Sequence, residues 1–590
     1  MRSLKPKEFW NSLRPLMHSK RCVPSEYITL KENNKIIKDQ NQVAEILNSY
    51  FKNVTESLDI QQHTSFENQP HLSNIPKNWN QDEQFEFSLI NHELVKTALQ
   101  RMKANKATGH DHIPPRALKA SIPTITRPLS HLINTIITSR AVPDSWKRGE
   151  IVPQHKKDSQ LEKENFRPVT VLPAMSKIFE HLIHQQLSVH LEKILHNSMF
   201  GYRKYHGCPT ALLALTEKWK EDLDNHNIIG AVAIDLSKAF DCLPHDLILE
   251  KLKFYGVGDQ ALSLMRSYLS SRHQKVKLGT AFSTWEEVLR GVPQGSVLGP
   301  TLFNIFINDL AYAITQCRII NYADDTNIHC SNKILRAVED NLNNDLENAT
   351  TWFIQNGMRP NPEKYQAMVL GRAEDKLLLK SGDIDIRTTE KTNLLGVVLD
   401  SKLKFDDQVS SICRKVSAQI NALNRLKNIL PLKTKESLYR SFMLPNFYYC
   451  NQVWHHCGKR NTAKIEKVNE RALRYVYNDK HAFYQHLLER IRLPTMESRR
   501  IPDMLLTIHN SISNKAPRAI KNLINLRSFK YNLRRQEYVL SLPKVNTTKY
   551  GLKSWRHFAA KKWNELSDDI RIKAGTNEIV NRIRYLNFGD

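Results

Sequence analysis

The sequence has no apolar run of the roughly 20 residues that cross a bilayer, so it predicts no membrane-spanning helix. Its basic start, MRSLKPKEFWNSLRPLMHSKR, lacks the apolar core of a secretory signal. Cysteine is scarce: eight residues in 590, with no paired spacing. That argues against a disulfide framework and for a reduced, intracellular setting. No internal repeat is found. Acidic residues are thin near the end. The last ~190 residues hold about 37 Lys and Arg against about 15 Asp and Glu, nearly the whole net charge of +26. A basic third of this size points to a polyanionic partner, nucleic acid first and an anionic membrane surface second.

What remains is a globular composition, 41% hydrophobic, long enough for two to four domains. Residues 40–58 place Val43, Ile46, Leu47, Tyr50, Phe51 and Val54 at helical spacing. Residues 59–84 are polar, with prolines and asparagines, and predict a linker. Helices are predicted in NHELVKTALQRMK, TRPLSHLINTIITSR and SKIFEHLIHQQLSVHLEKIL, the last with Ser176 as N-cap. NIIGAVAIDL is an apolar run of the kind that forms a buried strand, with Asp235 at its end. HQKVKLG and EEVLRG predict a strand pair, and GVPQGSVLGP a loop. NYADDTNIHC predicts a hairpin with Asp324 and Asp325 at its turn, and YQAMVLG and TNLLGVVLD each predict a strand. After residue 402 the pattern is helical and basic, as in KIEKVNERALRYVYNDK, where Leu473, Val476 and Tyr477 share one face. Strands interleaved with helices up to residue 400, followed by basic helices, predict an α/β catalytic core with a helical appendage.

Paired aspartates at a turn are usually only a turn. A third, Asp235, ending a separate core strand changes the reading. Three converging carboxylates repel, and need protons or cations. Hard oxygen donors select Mg²⁺, or Mn²⁺ as a substitute. Two such ions can clamp the attacking and leaving oxygens of a phosphoryl displacement. A basic chain would then concentrate negative charge where metal-dependent phosphoryl transfer requires it.

Six motifs in order carry a resemblance: KATGHDHIPPRALK, ENFRPVTVLPAMSKIFEHLI, FGYRKYHGCPTALLAL, AIDLSKAFDCLPHDLILEKL, GVPQGSVLGPTLFNIFINDL and YADD. Together they resemble the reverse transcriptase of non-LTR retrotransposons, the jockey-like group of long interspersed elements, over roughly residues 90–400. The resemblance implies an α+β palm with an antiparallel sheet, inside a right-hand fold of fingers, palm and thumb with a basic helical C-terminal region. In this chain it implies a connector over 1–85, fingers and the start of the palm over 86–230, palm over 231–400, thumb over 401–480 and a basic region over 481–590. The reverse transcriptase domain would span about 135–400.

It further implies RNA-directed DNA synthesis, with an RNA template, a DNA primer or target and deoxynucleoside triphosphates as partners, and two Mg²⁺ ions. Asp235, Asp324 and Asp325 would be metal ligands and catalytic, and Lys364 would protonate the leaving pyrophosphate. Phe240 would be the gate that excludes a 2′-hydroxyl, or simply a core aromatic. Gln294 and Gly295 would lie against nucleotide and template. Arg167 and Lys156, or its neighbour Lys157, would reach the triphosphate. Gly201, Tyr202 and Arg203 would shape the template path, and Gly396 would lie in the primer grip.

The chain departs from that family in places. The stretch before residue 58 resembles the connector that follows an endonuclease, so the reading frame is expected to be truncated ahead of it. Neither an RNase H constellation nor zinc-knuckle spacing is found. Cys450, His455, His456 and Cys457 offer four ligands, but their spacing matches no common zinc site and they are expected to pack under a helix. The competing reading is a decayed element remnant that binds RNA without polymerising. A group II intron maturase or telomerase fits the motifs less well. Sequence leaves the oligomeric state open, and the family's cycle implies both cytoplasm and nucleus.

Overall fold

The computed structural model describes residues 27–57, 64–76, 84–156, 158–371, 376–527, 538–571, 578, 582 and 583. The basic N-terminal stretch, parts of the expected linker and Lys157 lie outside the described residues.

Four strands make an antiparallel sheet in the order Arg318–Tyr322, Asp325–Asn332, Ile228–Ile234 and Gln366–Leu370. The run IIGAVAI is apolar throughout because both of its faces are covered, where a half-exposed strand would alternate. Ile228, Val232 and Ile234 join a core with Val338, Leu342 and Leu346 of helix Leu335–Gln355. Ile229 and Ala231 join a second core with Leu212, Leu215 and Trp219 of helix Cys208–Asp224. A second sheet runs Phe166–Val171, Arg148–His155, Arg272–Leu278, Ala281–Phe282, with Glu286–Val288 also paired to Arg272–Leu278. Its pair Arg148–His155 and Arg272–Leu278 is parallel. Helix Gln40–Lys52 lies on this sheet, burying Val43, Leu47 and Phe51 with Ile151, Phe166 and Val276.

The YADD hairpin closes in two residues, since Tyr322 pairs with Asp325. Ala323 takes a positive φ of 55° and Asp324 does not. That pattern belongs to a type II′ turn, whose first central position ordinarily takes glycine. An alanine there costs on the order of 1 kcal/mol and needs outside support. Residues 198–201 supply it. Phe200 N donates to Asn321 O at 2.8 Å and Asn321 N donates to Ser198 O at 2.9 Å. Gly201 then passes so close that a Cβ would come within 2.5 Å of Ala323 N. Asn304 Nδ2 fixes Gly201 by donating to its carbonyl at 2.7 Å.

Three sequence expectations are corrected. Ser176 is inside helix Ala174–Leu191, whose N-cap position is Pro173; its hydroxyl donates to Trp146 O at 3.1 Å instead. TNLLGVVLD is a hairpin, Lys391–Leu394 with Val397–Asp400, because Leu395 and Gly396 both take positive φ and turn the chain. Residues 64–76, expected as linker, are docked. Phe66 is buried in the main core, and His71 Nε2 lies 2.8 Å from the buried Asp309 carboxylate. Asp309 also pairs with Lys251 at 2.7 Å and accepts a bond from Trp352 Nε1 at 2.8 Å. Burial draws Lys251 down to about 8, against the pull of Asp309, so it stays charged at neutral pH.

The C-terminal helices share one continuous core with helix Cys208–Asp224. It takes in Val409, Ile412 and Val416 of Asp406–Asn424, Leu473 and Val476 of Lys459–Tyr477, and Trp555 and Trp563 of Trp555–Asn564. Tyr477, expected on the same face, is half-buried. Part of the basic surplus is structural. Arg500 is fully buried beneath the Trp454 ring, 4.6 Å from its centroid, and Arg499 Nε donates to Pro494 O at 2.6 Å.

Two substitutions test this frame by thermal or urea unfolding. Gly201→Ala is expected to cost roughly 1–3 kcal/mol, since the obstacle to its Cβ is backbone. Asp309→Asn is expected to cost roughly 3–5 kcal/mol, since it strands Lys251 as an unpaired buried charge. A cost under about 0.5 kcal/mol in either case contradicts the account given for that position.

Candidate active site

Register alone brings the acidic residues together. Thr326 pairs with Ile234, so the next pair along the same ladder sets Asp325 beside Asp235. Asp324 is at the tip of the same turn. Gln366 pairs with Ala233 on the opposite side, which carries Lys364 level with Asp235. The Lys364 ammonium stands 3.8 Å from the Asp235 carboxylate, with both side chains about half exposed. Asn361 N donates to the Asp235 carbonyl at 3.0 Å and fixes that loop against the strand end.

The electrostatics follow from this crowding. Asp325 is pushed up to about 6, first by the packed protein around its carboxyl and then by the charges of Asp324 and Asp235. Lys156 and Arg167 pull in the other direction, which sets both within the field of Asp325. Among the described residues, no three carboxylates, imidazoles or thiols stand close enough to grip one ion together. The donors are nonetheless hard oxygens at one end of one sheet. The Asp235 side chain is half exposed at that end. The set suits a hard divalent cation.

Phe240 is partly buried against the main core. One face stacks on the buried Phe303 ring at 4.2 Å between centroids, and its edge meets Tyr202 at 6.2 Å. Tyr202 is largely exposed, and its hydroxyl pKa is raised by burial of its surroundings and by the charge of Asp324. Its ring thus stands near Phe240 and its hydroxyl within the field of Asp324. Gly201 buttresses the aspartate turn. Arg203 is spent on structure: it bonds Glu192 at 2.6 Å and the carbonyls of His196 and Met199. Gly396 is in the turn of the hairpin Lys391–Asp400, 3.5 Å from the Tyr449 ring at the position of its absent Cβ.

Gln294 does not hang free. Its Nε2 donates to both oxygens of Asp241, at 2.8 and 3.0 Å, and its carbonyl accepts from Thr170 N at 2.7 Å. Gly295 leans on the same strand with a φ of 121°, where a Cβ would meet Thr170 O at 2.6 Å. Asp241 is enclosed, and burial pushes its carboxyl up to about 6. A cavity of about 400 Å³ opens behind this loop, with Phe51 and Lys52 of the N-terminal helix in its wall. Lys238 donates to the carbonyls of Glu164 and Phe166 and stands 5.3 Å from the Tyr50 ring, so it ties the second sheet to the site loop. Asp241 and Lys238 escaped the sequence analysis. The signal was there, in two charged residues flanking Phe240 in SKAFD.

The four residues Cys450, His455, His456 and Cys457 surround no common point. The two imidazoles pack on Phe558 at 5.2 and 4.8 Å, and the Cys457 sulfur faces the Thr462 hydroxyl at 4.0 Å.

Residues 154–399 match the family model described as reverse transcriptase (RNA-dependent DNA polymerase). The chain is 27% identical over 412 residues to a probable RNA-directed DNA polymerase from transposon BS of Drosophila melanogaster, covering 65% of this chain and 44% of the relative. It is 27% identical over 405 residues to the RNA-directed DNA polymerase from mobile element jockey of the same organism, covering 66% and 44%. A Pol polyprotein from retrotransposable element R2 of Popillia japonica is 24% identical over 291 residues, covering 47% and 38%. The match to the first two thus spans less than half the length of each relative. Asp235, Asp324, Asp325 and all the side chains predicted around them fall inside residues 154–399, the span that is similar to the reverse transcriptase family, and the relatives matched include RNA-directed DNA polymerases of the jockey and BS mobile elements.

Proposed function

We propose that the chain is an RNA-directed DNA polymerase that extends a primer 3′-hydroxyl with deoxynucleoside triphosphates on an RNA template. The observation that carries the reading is the strand register that sets Asp235 beside Asp325, with Asp324 at the adjoining turn. In this reading the antiparallel sheet is the palm, the sheet built on Arg148–His155 is the fingers, and the helices after residue 401 are the thumb and a basic C-terminal region. The working divisions are 1–85, 86–230, 231–400, 401–480 and 481–590. Among the described residues no helix is long and apolar enough to cross a membrane.

Asp235, Asp324 and Asp325 would hold two divalent ions, Mg²⁺ with Mn²⁺ as substitute, which when bound make the primer hydroxyl a better nucleophile and neutralise the leaving pyrophosphate. The chain's own groups do the positioning on which phosphoryl transfer depends. Arg167 and Lys156 face the acidic end from the second sheet and suit a triphosphate. Lys364, beside Asp235, is placed to give a proton to the departing pyrophosphate. Phe240, immobilised by Phe303, presents a rigid edge toward the sugar. Gln294, oriented by Asp241, and Gly295 form the floor under the nucleotide.

The test is incorporation of deoxynucleotides on a primed RNA. Asp324→Asn should lower synthesis by at least a thousandfold while leaving the melting temperature unchanged or slightly raised, because one of three repelling charges is gone. A fully active Asp324→Asn sinks the reading. Phe240→Val should lose roughly ten- to a hundredfold in discrimination against ribonucleotides. Unchanged discrimination would leave Phe240 as a core aromatic only. A carboxyl raised to about 6 is charged above that pH and protonated below it. Synthesis should therefore fall as pH drops through about 6, with a midpoint that moves down as Mg²⁺ is raised. A midpoint insensitive to Mg²⁺ would separate the acid limb from metal binding.

A further inference from the structure

A second cavity shares no residue with the aspartate cluster. A cavity of about 240 Å³ opens between residues 403–406, the turn 456–458 and residues 549–553. Lys220, Lys404, Lys549 and Lys553 line it, against the single carboxylate of Asp406. Asp406 is already engaged, accepting a bond from Asn461 Nδ2 at 2.6 Å, and Lys220 is paired with Glu217 at 2.8 Å. Among the described residues, the one hydrogen bond of Lys549 goes to the Tyr550 hydroxyl, at 2.7 Å. Lys404 and Lys553 have no ion pair among the described residues and stay exposed at the rim. The positive charge of the cavity is thus largely unanswered.

Two helix starts at this cavity point the same way. Helices Asp406–Asn424 and Lys459–Tyr477 both begin at this cavity, through their N-cap residues Phe405 and Gly458, and neither has a side-chain cap. Uncapped helix starts carry unsatisfied N–H groups and a partial positive charge, and they favour anions. His456 also lines the cavity, though its Nε2 is covered by protein and does not face it. Burial, with Lys220 and Lys553 close by, holds this imidazole neutral, its pKa lowered to about 3. The volume is below that of an ordinary drug-sized pocket and suits a phosphate with part of its sugar.

We propose that this cavity is a phosphate-binding site, built from Lys404, Lys549 and Lys553 over two converging helix starts. The phosphate comes either from the backbone of a bound nucleic-acid strand or from a free phosphate anion. Naming a strand as the source rests on the polymerase reading; the anion site does not.

The experiment uses the full chain and reads binding, so its outcome is independent of polymerisation. The Lys404→Gln/Lys553→Gln variant is compared with wild type in two arms. In the first, melting is followed in inorganic phosphate against chloride at equal ionic strength. Phosphate should raise the wild-type midpoint by roughly 2 °C and leave the variant unmoved. In the second, affinity for a labelled single-stranded RNA is measured against salt. The variant should bind on the order of tenfold more weakly, with a log–log salt slope shallower by about 0.7, the value for one phosphate. A Lys433→Gln/Lys521→Gln control makes the same charge change away from the cavity. Both arms responding, with the control silent, supports a strand phosphate. Phosphate stabilisation without an RNA effect, or an equal RNA loss in the control, supports the anion site and overturns the strand as its source. No phosphate stabilisation and no RNA effect specific to the cavity overturns the site.

Discussion

Everything else in this structure answers to the crowding of three carboxylates at one end of an antiparallel sheet. The charges of Asp324 and Asp235 both raise the Asp325 carboxyl, so gathering the three at one strand end is costly. The turn that carries two of them is itself strained, with an alanine where glycine is usual. Neither cost is met locally. Two cores clamp the central strand from both faces, and residues 198–201 back the turn through main-chain bonds and the close approach of Gly201. Lys364 stands beside Asp235, and Arg167 and Lys156 offset the field at Asp325 from another sheet. A rigid surround that tolerates such repulsion can exploit it, because a divalent cation relieves it on binding.

The support reaches segments that look dispensable. Tyr50, on the N-terminal helix, meets Lys238, which ties the Phe166 strand to the loop after Asp235. Asp241, two residues beyond Ala239, orients Gln294. His71 and Phe66 close over Lys251 and Asp309 beneath the helices that pack on the sheet. The site is thus held by the chain ahead of residue 90 as well as by the motifs. Removing 27–76 would expose Lys251 and Asp309 and leave Lys238 without its aromatic cover.

Much of this was legible before the fold was known, and the limits are physical. The central strand was visible because a strand covered on both sides is apolar throughout. The hairpin was visible because a polar pair interrupts two apolar runs. Convergence of Asp235 with Asp325 was beyond periodicity, since register depends on a pairing between residues about 90 apart in sequence. The docked segment 64–76 was missed because it is held by one aromatic and one buried histidine, too few to form a pattern. Ser176 misled because a serine before an apolar run signals a cap only if the helix has not already begun. TNLLGVVLD misled because its turn rests on Leu395, a residue that rarely takes a positive φ.

Charge shows the same division. The basic surplus after residue 400 announced a polyanionic partner, but net charge does not distinguish a buried guanidinium from an exposed one. Arg499 and Arg500 spend theirs on carbonyl oxygens and an indole face, and Arg556 on Glu221 of helix Cys208–Asp224. Arg556 ties helix Trp555–Asn564 to the helix that covers the antiparallel sheet, while Arg499 and Arg500 join C-terminal segments to one another. The charge left for a ligand is what stays unpaired at the surface, and around residues 404, 549 and 553 it gathers where two helices begin. Lysines scattered over a surface attract a polyanion without fixing its path. Lysines that converge on a cavity with oriented N–H groups can hold one phosphate in place, and a strand held at one point acquires a register with respect to the distant acidic turn.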